Sequence, residues 1–345
     1  MSFEIALFLM QDGLVNGAIY ALLALALVAV FSVTRVIFIP QGEFVAFGGL
    51  TLAALQAGRV PGTFWILCAT SAAVAVSDAT RLARGRAPGL LRRTLFVNVA
   101  YPALLGAVLR LVPVAAAPTW IQVVLTFALV VPLGPSVYRL AYEPLAAAPV
   151  LVLLVVSVAV HVAMVSLGLL LFGAEGSRTL PFSEARFELG PVEVGAQPLL
   201  VLVFSAGLIA ALYAFFEGTA WGKALRASAM NRTGARLVGI SPNLTGRWSF
   251  ALAALVGALS GILIAPITTL YYDTGFLIGL KGFVGAIVGA LASYPLAAAG
   301  AVLVGLIEAA ASFWASAYKE LIVFALIIPV LLWRSLHARR VEEDE

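Results

Sequence analysis

Residues 144–174 read PLAAAPVLVLLVVSVAVHVAMVSLGLLLFGA, an unbroken run without Asp, Glu, Lys or Arg. A helix on the surface of a soluble protein keeps one polar face, and this run has none. Crossing hydrocarbon takes about 20 mostly apolar residues as helix, because every backbone N–H and C=O must be bonded internally. The run is long enough to cross, and it is repeated in both directions. Charge-free stretches also cover 13–34, 44–58, 60–77, 94–109, 111–138, 194–216, 248–272, 282–307 and 321–333. The stretch 282–307 continues past Glu308 to Trp314 and carries Pro295 inside it. It divides into 276–293 and 296–315, with the turn at Ser293-Tyr294-Pro295. The fold class is therefore all-α and polytopic, with about eleven transmembrane or re-entrant segments (range nine to eleven).

Composition agrees. The 345 residues are 62% apolar and 11% charged, with mean hydropathy +1.06. Soluble domains stand at about 45–50% and 25%, so too few charges are present to coat a soluble particle. A water-soluble enzyme, a disordered chain and a disulfide framework are excluded; the one cysteine, Cys68, cannot pair internally. The pI of about 9.4 does not indicate nucleic acid, because the basic residues fall between apolar runs. That is the distribution of a membrane protein with basic cytoplasmic loops.

Three basic clusters set the orientation: Arg81, Arg84, Arg86, Arg92 and Arg93; Lys223, Arg226, Arg232, Arg236 and Arg247; and Arg334, Arg339 and Arg340. All three are expected in the cytoplasm. Parity holds if 276–315 crosses twice, and it places the N-terminus outside and the C-terminus inside. The first apolar run is too long for a signal-peptide core and lacks a basic leader, so it reads as a retained helix. The acidic end Glu342–Glu345 reads as a solvated tail. The outer loop 174–196 carries Arg178, Glu184, Arg186, Glu188 and Glu193 among Gly and Pro. Its alternation about Gly190-Pro191 predicts a small hairpin. Its mixed charges make Arg178, Glu184, Arg186 and Glu188 candidate contacts for an outer partner, against a merely solvated hairpin.

Several chemistries are missing. No G-x-x-x-x-G-K-[ST] occurs, so the chain itself has no P-loop for ATP. His161 and His337 are far apart, and no Cys/His/carboxylate group has metal-ligand spacing. Ser260 lacks a base, and Gly257/Gly261, like Gly13/Gly17 and Gly285/Gly289, reads as a helix-packing face. No catalytic residue is assigned, and the chain is not read as an enzyme.

The most informative loop is 218–247, and within it residues 222–240, GKALRASAMNRTGARLVGI. It is basic and amphipathic: Ala224, Leu225 and Ala229 share one helical face, Arg232 and Arg236 another. Asn231 is placed to cap a second short helix and Gly239 to end it. Beside the reading as an ordinary basic loop stands that of a helix docking its apolar face into a cytoplasmic partner.

This stretch resembles the cytoplasmic coupling loop of branched-chain amino acid ABC transporter permeases of the LivH/LivM type, most nearly LivH-like ones. The family pattern G-x-A-x-R-A-x-A-x-N-x-x-x-A-x-x-x-G-I is met at Gly222, Ala224, Arg226, Ala227, Ala229, Asn231, Ala235, Gly239 and Ile240. Residues 13–26, GLVNGAIYALLALA, resemble the family's first helix; 38–44, FIPQGEF, resemble N-F-A-H-G-E-F; 141–145, AYEPL, resemble A-Y-R-P-L. The stretch from Lys281 and Gly282 to Glu308 resembles the late glycine-rich segment. Together the likeness covers most of 10–57 and 138–335. Gln41, Glu143 and Met230 depart from the usual His, Arg and acidic residue. Residues 77–118, containing the basic loop 79–93, look like an insertion.

The resemblance implies one transmembrane permease domain over 1–345 in the inner membrane of a prokaryote. It implies a second permease subunit of different sequence, two cytoplasmic ATPases that carry ATP and Mg, and an outer solute-binding protein. No cofactor is expected in this chain, and membrane lipid but no nucleic acid is expected around it. The coupling residues are Gly222, Lys223, Ala224, Leu225, Arg226, Ala229, Asn231, Arg232, Ala235, Arg236 and Gly239. The implied substrates are branched-chain or related neutral amino acids, with amides and urea-like solutes also open. Polar groups at depth are costly and often functional, so Asn16, Tyr20, Gln41, Glu43 and Glu308 are candidates for the translocation path. Each also has a structural reading as an interhelical hydrogen bond or helix cap. Gln41 and Glu43 are expected near the inner end of the second span, and Asp273 and Lys281 near the outer surface, snorkelling. His161 and Cys68 read as packing residues. The rival reading is a secondary transporter or channel without ATPases, using Glu308 or Glu43 in an ion cycle.

Overall fold

The computed structural model describes residues 3–83, 94, 96–189, 192–291, 293–332 and 335. Most of the basic loop 79–93 and the tail with Arg334, Arg339 and Arg340 lie outside the described residues. So does the side chain of Glu188.

Every predicted apolar segment contains a helix. In chain order these are α1 (Phe3–Thr34), α2 (Glu43–Gln56), α3 (Gly62–Ala83), α4 (Tyr101–Leu111), α5 (Thr119–Val130), α6 (Leu133–Val137) and α7 (Val150–Phe172). The hairpin β1 (Arg186–Leu189) and β2 (Val192–Gly195) follows. Then come α8 (Ala196–Gly218), α9 (Ala220–Met230), α10 (Arg232–Leu237), α11 (Pro242–Ile264), α12 (Thr274–Val288), α13 (Tyr294–Trp314) and α14 (Lys319–Ala325). Among the described residues, seven helical stretches are long and apolar enough to cross a membrane, α5 and α6 running together as Thr119–Leu145. The other four predicted segments fall short: α2 has 14 residues, α12 has 15, α14 has 7, and the stretch Phe96–Leu111 is also short. The chain is an all-α, multi-pass membrane protein, apart from the hairpin of β1 and β2.

The predicted turn at Ser293-Tyr294-Pro295 holds. α12 ends at Val288 and α13 starts at Tyr294 with Pro295 in its first turn, where the missing N–H is harmless. The predicted hairpin pairs Phe187 with Val194 and Leu189 with Val192; Gly190 and Pro191 between the strands lie outside the described residues.

α1 is the central pillar. Leu22, Leu23, Val28 and Val30 on all its sides are fully buried, because α8, α11, α12 and α13 surround it. Small residues allow this. A Cβ on Gly17 would stand 2.8 Å from the Val302 backbone of α13, closer than real side chains come. α7 and α8 are as apolar as α1, yet Leu151, Val155, Leu170, Val203 and Phe204 point outward. Lipid does not repel an apolar helix, so apolarity alone does not choose which helix lies inside.

α2 does not start at the membrane surface. After α1 ends, Val36 to Gly42 run inward as an irregular segment with a short 3-10 turn at Ile39–Gly42, and Val36, Phe38, Pro40, Gln41 and Gly42 are buried in protein. Non-helical backbone is tolerated at that depth only when protein encloses it. Gly42 crosses Gly275 so closely that a methyl group on either would overlap the other's carbonyl oxygen.

Candidate functional site

The elbow formed by α9 and α10 lies between the spans α8 and α11. Thr219 caps α9 by accepting from Gly222 N–H (3.0 Å), and Asn231 caps α10 by accepting from Gly234 N–H (2.9 Å). Gly239, at φ +85°, ends it in the left-handed region that glycine adopts without strain. The Asn231 cap and the Gly239 stop were legible in the sequence; the Thr219 cap was not read there. Nor was the orientation of the elbow. Leu225, expected on a partner-facing surface, is 1% exposed and packs with Ala29, Val33 and Phe216. Gly222 and Ala235 are buried too. The small and apolar side of the elbow grips its own subunit, where a Cβ on Gly222 would strike the end of α8. The outward side shows Lys223, Met230, Asn231, Arg236, Leu237, Val238 and Gly239; Met230 is 88% exposed and Leu237 84%. Ala224 and Ala229 lie between these extremes.

Two arginines brace the elbow. Arg226 bonds Glu217 Oε1 (2.6 Å) and the Phe216 carbonyl (2.5 Å); the Glu217 bond raises its pKa above the ordinary value. Arg232 donates to the carbonyls of Val33 (2.9 Å) and Ala146 (3.3 Å), tying α10 to the end of α1 and to the turn before α7.

Of the path candidates, Tyr20 and Glu308 meet. The Tyr20 hydroxyl donates to Glu308 Oε2 (2.6 Å), and Lys281 Nζ bonds Glu308 Oε1 (2.6 Å) and Glu320 Oε1 (3.1 Å). Lys281 is therefore not a snorkelling surface residue. It is 5% exposed, and it couples α12 to α13 and α14. Sequence reading missed this because Lys281 stands near the start of the segment 276–293, where a long cation reads as reaching the surface, while its partners lie on later helices.

Gln41 and Glu43 form a second cluster. Gln41 Nε2 donates to the Ala253 carbonyl (3.0 Å), and Glu43 Oε1 pairs with His161 Nδ1 (2.9 Å). His161, stacked on Phe276, is at the midpoint of the spanning helix α7, so Glu43 stands at mid-depth and not at the inner end of a span. The displacement follows from the buried inward run of 36–42. His161 is thus a partner of Glu43, beyond a packing residue. Gln41 Oε1 and Glu43 Oε2 are buried with no hydrogen-bond partner among the described residues. No hydrogen bond among the described residues links this cluster to Glu308. Asn16 is half-buried on α1, one turn from Tyr20.

In the loop 174–196, Arg178 is exposed but held as a clamp, donating to the carbonyls of Pro266 and Ile267 (both 2.8 Å). Glu184 and Arg186 are exposed.

The chain has known relatives in sequence. The chain is 27% identical over 209 residues to the high-affinity branched-chain amino acid transport system permease protein BraD of Pseudomonas aeruginosa, covering 58% of this chain and 68% of the relative. It is 26% identical over 210 residues to the corresponding protein LivH of Escherichia coli and of Salmonella typhimurium, covering 58% of this chain and 67% of each relative. No solved structure matches the chain. The model of the family described as branched-chain amino acid transport system / permease component matches residues 9–331, and the chain belongs to that family.

Proposed function

We propose that this permease is the membrane subunit of a binding-protein-dependent ABC importer for branched-chain or related neutral amino acids. It works in a prokaryotic inner membrane, with its N-terminus outside and the elbow in the cytoplasm. Separate ATPase subunits drive it, a second permease chain completes the pore, and a solute-binding protein delivers substrate near Glu184, Arg186 and Glu188.

The observation that carries this reading is the division of the elbow's two sides. One side is fastened to α1 and α8 through Leu225, Arg226 and Arg232; the other leaves Met230, Leu237 and Val238 bare among basic residues. A rigid attachment inward and an apolar contact outward are what a lever needs to pass motion from an ATPase to the bundle. The docking residues are thus Met230, Leu237 and Val238, and Leu225 is their anchor. Along the path, Gln41 Oε1 and Glu43 Oε2 are free acceptors at mid-depth, suited to the ammonium group of an amino acid. Glu308, with Lys281 and Tyr20 on it, holds helices together beside the path.

Leu237→Asp tests the reading. Loss of one central apolar contact of about 2 kcal/mol weakens association roughly thirtyfold. ATPase subunits should fall away on purification, and ATP-driven uptake should drop while the thermal transition of the isolated chain holds. Undiminished uptake by the variant would count against an elbow-driven pump.

A further inference from the structure

A cleft of about 370 Å³ opens behind the elbow, lined by Tyr138, Glu143, Ala146, Arg232, Arg236 and Asn243 among others. Its charge is one-sided. Glu143 is taken up by Arg247 in a two-pronged pair at 2.8 and 3.0 Å. Arg232 meets only backbone carbonyls, and Arg236 is exposed, so neither has a carboxylate partner among the described residues. Burial pushes the Arg232 pKa below its ordinary value; Tyr138 works against that shift, while Arg35 and Arg236 add to it. An anion here would relieve two guanidinium groups at once.

The position narrows the choice of anion. The cleft sits where the spans Thr119–Leu145 and Pro242–Ile264 reach the same membrane face, so it lies at headgroup level. Leu140, Leu145 and Val150, a few residues along the chain from the lining residues Tyr138, Pro144 and Ala147, are exposed apolar side chains. A soluble anion has no use for such a surface; a phospholipid acyl chain does. Basic pockets between spanning helices on the cytoplasmic side are a recurrent way of holding anionic headgroups.

We infer that this cleft binds the phosphate headgroup of an anionic phospholipid, gripped by Arg232 and Arg236, with an acyl chain over Leu140, Leu145 and Val150. A lipid so held would steady α10 against the bundle, which makes it a modulator of the elbow. The site rests on the elbow lying at the membrane face and holds whether or not the transport reading does.

The full chain, purified in neutral detergent, would be incubated with phosphatidylglycerol or phosphatidylcholine, and retained lipid counted by native mass spectrometry. Phosphatidylglycerol should be retained in preference, and 0.5 M salt should weaken the preference, in keeping with screening over about 4 Å. Arg236→Gln should reduce its retention roughly fivefold, the share of one basic group near a lipid surface. Arg110→Gln, at an exposed cation on α4 remote from the cleft, should leave retention unchanged. Arg232 is also an internal brace, so the Arg236 variant, with an unchanged thermal transition, carries the test. Equal retention of the two lipids, or undiminished retention by Arg236→Gln, would overturn the site. Displacement of the lipid by millimolar inorganic phosphate would replace it with a free-anion site and equally defeat the lipid assignment.

Discussion

Lys281 shows what one residue can hide. Charges in a spanning region are read singly in a sequence, yet Lys281 and Glu308 together add nothing to the net charge of the bundle. A pair on two helices escapes a search along one, so Glu308 was read as a path candidate and Lys281 as a surface cation, each without the other. Removing one member leaves the other stranded, at about 3–5 kcal/mol for a buried pair. Lys281→Met should therefore lower the melting temperature in detergent sharply. Lys281→Met with Glu308→Gln should recover part of the loss, a coupling that a double-mutant cycle measures. Glu43 and His161 repeat the lesson: the motif around Glu43 was legible, while its partner on α7 was not, because nothing in 144–174 marks the face His161 occupies.

At the scale of elements, the boundaries were readable and the depths were not. Asn231, Gly239 and the pair Tyr294-Pro295 announce helix ends by local chemistry that needs no neighbours. The start of α2 inside the bundle depends on Gly42 meeting Gly275, and no local signal records a crossing partner. Gly42→Ala should therefore abolish the native transition, because both sides of the crossing are backbone and cannot move aside like the end of a side chain. The elbow gives a paired test. Leu225→Asp buries a carboxylate against Ala29, Val33 and Phe216 and should destabilise the chain by about 3 kcal/mol, seen as a lower melting temperature. Leu237→Asp, on the bare side, should leave that temperature unchanged. Amphipathic spacing identified the elbow's two sides in the sequence but assigned the apolar one to the wrong neighbour, since a groove in the same subunit and one in a partner ask for the same residues.

Across the whole molecule, apolarity marked the eleven segments, of which seven among the described residues are long enough to cross, but it did not tell which of them lie inside. α1 carries Gly13, Gly17, Ala18, Ala21 and Ala24 and is enclosed; α7, richer in Leu and Val, faces outward. Orientation rests on the placing of Lys and Arg and has a direct check. In a Cys68→Ala background, Ser183→Cys should react with an impermeant maleimide in intact cells, and Lys223→Cys only after the cells are opened. Reaction of Lys223→Cys in intact cells would invert the molecule.

The mid-depth start of α2 also bears on how the chain is made. Fourteen residues do not reach across the bilayer, and the run leading into them has backbone groups that lipid cannot satisfy. Their shelter comes from α11 and α12, which are synthesised much later. During translation the segment 36–56 must therefore wait, shielded by the insertion machinery or held near the surface, until the ribosome has passed residue 288. Assembly is completed from the far end of the gene backward, and a truncated product lacking α12 would expose α2 as a signal for degradation.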